Sequence, residues 1–261
     1  MNRRIWIALV GLAYAGCSEK SESADATGQP TTTHGDTTSV APSPSDTAAP
    51  AGEPHVASFA NVDADGAIQG VGVNIPVSFF ENPPTDDPAF QSSEGVEMPA
   101  SVHDKTFIQL LRINWLASGH GPAPYDEPHF DLHFYRGTKA EVTAISCPDP
   151  EPFPTAVLAD GYEAPSTCVS GMGYHAWPSA DVNGGTFTAS IILGYAAQKM
   201  VFIEPMITRD FLLQRQDFER DIARPASAGG ATTLYPSHFS ATYLAATDTY
   251  HLEFGHFAPI D

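Results

Sequence analysis

The sequence predicts a mainly β protein: an antiparallel sheet sandwich or barrel-like domain with one amphipathic helix near residues 208–222. Three observations predict it. Pro (23) and Gly (21) are frequent enough to favour short strands and many turns over long helices. The apolar stretches are short, bounded by Gly, Pro and Asn clusters, and show no repeat at a period of about 20 to 50 residues. Several of them alternate apolar and polar residues with the period of two that belongs to strands. With 42% hydrophobic residues in 261, the chain can supply one domain of about 200 residues with a sizeable core.

The elements follow in order. Met1 to Arg4 carries two arginines, Ile5 to Leu12 is almost wholly apolar, and Tyr14-Ala15-Gly16-Cys17 ends the run with small residues. This is the layout of a signal peptide over residues 1–16. The apolar run is well short of the ~20 residues a bilayer span needs. A cysteine directly after Ala-Gly resembles a bacterial lipobox, with Tyr14 in place of the usual Leu, so Cys17 is expected to be the lipidated N-terminus. Residues 17–57 then form a Ser/Thr/Ala/Pro-rich tether without a single aromatic residue, unable to build a core. The expected location is the bacterial cell envelope, with the domain exported and held at the membrane only by N-terminal lipid.

A single β-rich domain is expected over 58–261. Asp63-Ala64-Asp65-Gly66 reads as a hairpin turn. Strands are expected over 67–75, 106–116, 130–135, 186–195, 199–203, 239–245 and 249–254. Between 208 and 222 the apolar residues Phe211, Phe218 and Ile222 fall on one helical stripe, Thr208 can cap its start, and Pro225 lies just beyond its end.

Charge and cysteines narrow the functions open to such a domain. Twelve Lys and Arg against 31 Asp and Glu give a formal charge of −19, which repels nucleic acid. Of the three cysteines, lipidation of Cys17 leaves Cys147 and Cys168 as an even pair in an oxidising compartment, where a disulfide is expected. Closing their Pro-rich loop is worth about 3 kcal/mol through the unfolded state.

The chemically loaded segment is Gly119-His120-Gly121-Pro122-Ala123-Pro124-Tyr125-Asp126-Glu127-Pro128-His129-Phe130-Asp131-Leu132-His133-Phe134-Tyr135. Its second half alternates strictly. In a strand, His129, Asp131, His133 and Tyr135 project from one face, and Phe130, Leu132 and Phe134 from the other. Residues four apart stand about 13 Å from each other, too far for His129 and His133 to share an ion without a bulge. Asp131 with one of the two histidines, completed from elsewhere, is the more workable ligand set. The outside candidates are His120 in its Gly/Pro loop, His175 in Gly171 to Trp177, and Glu204, an acid inside the apolar run Met200 to Met206 that must be paired, metal-bound or protonated. Glu204 is also a candidate acid–base group. His238, His251 and His256 read as cross-strand surface residues.

These residues also carry a resemblance. Gly119-His120 through Pro122, Tyr125-Asp126, Pro128 to Asp131 and His133 to Tyr135, followed by Met172-Gly173 with His175 and Trp177, Gly194-Tyr195, and Phe202 to Thr208, resemble the signature of an exported bacterial domain family of unassigned function. The resemblance runs over about residues 60–257. It implies His129, Asp131, His133, His175 and Glu204 as site positions and no particular activity.

There is no phosphate-cradling Gly loop followed by Lys-Ser or Lys-Thr, no Gly-x-Ser-x-Gly elbow, no HExxH helix and no dinucleotide fingerprint. The expectation is therefore a lipid-anchored envelope protein with a divalent transition metal, Zn²⁺ first among them, on the His/Asp strand face. An ion with an open position could activate water. The competing expectation is a non-catalytic envelope module, either a homo-oligomer with the histidine face at a subunit contact or a small-ligand binder with Trp115, Tyr125, Trp177 and Tyr195 as an aromatic wall.

Overall fold

In the computed structural model the described residues are 55–83, 89–91, 95–151, 153–164, 167–182 and 186–261. The signal peptide, Cys17 and almost all of the tether lie outside them. Two antiparallel sheets carry the architecture. The smaller has five strands in the order Ala57–Val62, Ile68–Pro76, Thr249–Gly255, His238–Leu244 and Phe218–Asp221. Its first hairpin turns at Asp63, whose carboxylate accepts from the backbone N–H of Asp65 and Ala67 and from the Gln69 amide. Gly66 follows at φ +82°, a left-handed value suited to glycine.

The larger sheet has nine strands. Its main path runs Ala89–Gln91, Leu110–Leu116, His129–Tyr135, Lys199–Thr208, Ala189–Ala196, Gly173–Pro178 and Tyr162–Glu163, with Val96–Glu97 and Cys168–Val169 paired beside it. Both sheets are open, so of the two expected forms the sandwich is the one adopted. The seven expected strands all form, with ends shifted by a few residues. The largest shift is at the strand expected over 199–203, which continues to Thr208.

The core lies between the sheets because one set of alternate residues in each strand is apolar. Val71, Val73 and Ile75 from the small sheet, with Tyr250, Leu252 and Phe254, meet Phe130, Leu132 and Phe134, with Leu111, Ile113 and Trp115, from the large one. Phe134 packs edge-on against Phe254 with ring centroids 4.7 Å apart. Trp115 and Tyr195, expected as ligand-facing aromatics, belong to this inter-sheet core instead.

The helix expected over 208–222 is confined to Arg209–Leu213. Thr208 caps it as expected, accepting from the Phe211 N–H. The left-handed backbone of Arg215 (φ +57°) then breaks the helical path. The Arg215 guanidinium is drawn onto Asp248 and Glu81, and Phe218–Asp221 becomes an edge strand against Phe239 and its neighbours. The seven-residue spacing of Phe211 and Phe218 is thus met by a helix followed by a strand, with the two rings 6.2 Å apart. No helix among the described residues is long and apolar enough to cross a membrane.

Candidate metal centre

The other face of the large sheet holds the chemistry. On the His129–Tyr135 strand every residue is buried, because the face opposite the core is covered by the 119–125 loop, by the Lys139–Thr143 helix and by Ile145 and Met172. His129, Asp131, His133 and Tyr135 do share that face, as the alternation predicts. Pairing then fixes their neighbours. Arg112 lies opposite His133 and Asn114 opposite Asp131. On the other side Phe202 opposes Tyr135 and Met206 opposes Asp131, which sets Glu204 beside His133. His175 faces Gly194 one strand further on.

Two ligand triads result, each with its donor atoms within 4.8 Å of one another. His133, His175 and Glu204 form the deeper one. The two Nε2 atoms are 3.4 Å apart, and Glu204 Oε1 and Oε2 stand 3.5 Å from His133 and 3.9 Å from His175. Ligands about 2.1 Å from a tetrahedral ion are separated by about 3.4 Å, so little movement is needed to close on one. His129, Asp131 and His120 form the second: His129 Nε2 is 3.0 Å and His120 Nε2 3.7 Å from the two carboxylate oxygens. The single ligand set expected from Asp131, a strand histidine and His175 is therefore divided. Asp131 keeps His129 and gains His120, while His133 takes His175 and Glu204. The cause is the rise of the strand, which puts Asp131 and His133 about 6.6 Å apart.

Local sequence explains why these groups reach each other. Gly194 has no Cβ; one placed there would lie 2.0 Å from the Phe202 ring. The ring can therefore lie across the strand and wedge both imidazoles, with centroids 4.9 Å from His133 and 5.0 Å from His175. Cys168–Val169 pairs with Gly173–Pro178, the strand that carries His175, and the Cys147–Cys168 disulfide (Cα atoms 5.7 Å apart) ties this margin down.

Electrostatics separate the triads. Burial, reinforced by the negative charge of Asp131, pushes the Glu204 carboxyl well above its ordinary range. Neither Glu204 oxygen has a hydrogen-bond partner. Burial pushes His133 down to about 3 and His175 down to about 4. For Asp131 burial acts upward, but the His120 and His129 imidazoles outweigh it and hold the group below the usual carboxylate range.

A cavity of about 560 Å³ opens on this face. His120, Asp131 and His175 reach it from the triads, and Asn114 and Tyr125 add polar edges. Its walls are otherwise largely apolar: Leu116, Met172, Trp177, Ile192 and Met206. The Tyr125 hydroxyl donates to Asp181 at 3.0 Å, and Ser190 donates to the same oxygen. Of the four expected aromatic wall residues, Tyr125 and Trp177 are present. Arg112 and Asn114 were missed by sequence reasoning, although their alternation with Leu111, Ile113 and Trp115 was a usable signal. His238 and His251 lie on the small sheet, with His251 Nδ1 donating to Asn74 Oδ1 and its ring stacked on Phe59.

The fold and site define a two-layer β-sandwich whose roofed outer face carries two histidine–carboxylate triads, each with two buried members, either of which could hold a metal ion. No family model, curated protein or solved structure matches the chain.

Proposed function

We propose that this is a lipid-anchored protein of the bacterial envelope whose exported sandwich binds a divalent transition metal, Zn²⁺ by preference, on His133, His175 and Glu204. One observation carries the reading: Glu204, with 1% of its side chain exposed, has two oxygens without a donor and faces two imidazole nitrogens. A buried carboxyl so placed stays costly unless a proton or a cation neutralises it. Two imidazoles and a carboxylate suit zinc and leave a fourth position for water or ligand on the cavity side, which His175 lines. Bound there, the ion would lower the pKa of water and supply a nucleophile for hydrolysis or hydration. The apolar walls favour a small ligand with an apolar or aromatic body and one coordinating head, whether it is turned over or only held.

Metal analysis of the purified chain, alongside His175→Ala, tests the reading. The expected result is bound zinc or a similar ion in the wild type and loss of it in the variant. Negligible metal in both, before and after incubation with Zn²⁺, overturns it.

A further inference from the structure

We infer that His120, His129 and Asp131 form a second metal site, separate from the His133–His175–Glu204 centre and open to the same cavity. The ring protons have fixed places. His129 Nδ1 lies 2.6 Å from the Glu127 backbone carbonyl, and His120 Nδ1 lies 2.9 Å from that of Gly121. A carbonyl only accepts, so each Nδ1 carries the proton and donates. A neutral ring then aims an Nε2 lone pair at Asp131, itself an acceptor, so each pairing needs either a proton on Nε2, as in the imidazolium form that holds Asp131 low, or a cation between them. His129 Nε2 and Asp131 Oδ1 are fully buried, and their 3.0 Å approach is too far off line for a hydrogen bond. Three lone pairs converging on one point, with both rings oriented by backbone carbonyls, is how proteins prepare histidines for a cation.

The loop is shaped to deliver His120. Gly119 adopts φ +62°, and a Cβ there would come within 2.4 Å of the Tyr125 carbonyl oxygen. That same carbonyl accepts from the His120 N–H at 2.8 Å. The ring of His120 stands edge-on to His129 at 4.9 Å. His120 keeps 38% of its side chain exposed, against 21% for His175 and 1% for His133 and Glu204 in the deeper triad.

Spacing makes the sites independent. Ions bridged by one carboxylate lie about 3.5–4 Å apart. Asp131 and His133 are separated by about 6.6 Å along the strand, so two single-ion sites face one cavity. The outer one, built on a half-exposed loop histidine, exchanges faster and yields first to a chelator.

Co²⁺ and Zn²⁺ titrations of the chelator-stripped full chain test this, read by bound-metal stoichiometry and the Co²⁺ spectrum. The wild type is expected to take two ions. His120→Ala, on a surface loop, and Asp131→Asn, isosteric, should each retain one. Gly119→Ala keeps every ligand but displaces His120, and should weaken the outer site by about 10–100-fold, the loss typical of misorienting a ligand. His175→Ala should lose the inner ion and keep the outer. A wild type that binds one ion, lost in His175→Ala and kept in His120→Ala and Asp131→Asn, overturns the second site and leaves the first standing. Two ions unaffected by all three outer-site variants overturn it as well. No binding by the folded wild type removes both.

Discussion

A carboxyl group as deeply enclosed as Glu204 sets opposite demands on the metal-free and metal-bound protein. Its folded pKa lies above the unfolded value of 4.5, so above that pH the unfolded chain releases a proton that the folded chain keeps. Metal-free stability therefore falls as pH rises through the folded pKa. His133 and His175 act in the other direction. Their folded values, about 3 and about 4, are below 6.5, so stability is lost as pH falls below 6.5 and the unfolded chain takes up protons. The metal-free domain should be most stable between these limits. Glu204→Gln should melt like the wild type below about pH 4.5 and higher than it at pH 8, by about 2–4 °C for each kcal/mol relieved, while failing to bind metal. A Glu204→Gln melt below the wild type at pH 8 would contradict this. Gly194→Ala is expected to cost about 1–3 kcal/mol in denaturant unfolding and to weaken the inner site, because the Phe202 ring must leave its place between the histidines. At this scale the sequence was informative about one face: the alternation from His129 to Tyr135 is real. It could not show which outside group meets which strand residue, since that depends on a register with Lys199–Thr208 that no local pattern encodes.

Single elements were legible where one face of each strand meets the core. Ile68–Pro76 and Thr249–Gly255 announce themselves through alternating apolar residues. Phe218–Asp221 did not, because a four-residue edge strand placed after a helical turn preserves the spacing of a longer helix. The disulfide was legible from the cysteine count once Cys17 was set aside as the expected lipidation site, whereas its position was not. It anchors Cys168–Val169, the short strand alongside the one that presents His175. Replacing both cysteines by serine should cost about 3 kcal/mol in unfolding free energy. It should also lower inner-site metal affinity by titration; unchanged affinity would show that the margin holds His175 without the crosslink.

Across the whole molecule, the site is separate from the layer that holds the sheets together. Composition and strand periodicity indicated a β-rich domain, but nothing local in the sequence indicated that the large sheet would be roofed on its outer side, since that roof is assembled from loops distant along the chain. If the triads bind metal, loading should raise the melting temperature. At a free concentration 100 times Kd, one site adds about 2.7 kcal/mol, or about 5–10 °C for a domain of this size, reversed by chelator. A melt indifferent to metal and chelator would argue against occupancy. The placement of the cavity also affects how the protein can change. Met172, Trp177 and Ile192 shape its walls without joining the packing between the layers, so substitutions at those positions would recontour the cavity while leaving the framework that joins the two sheets intact.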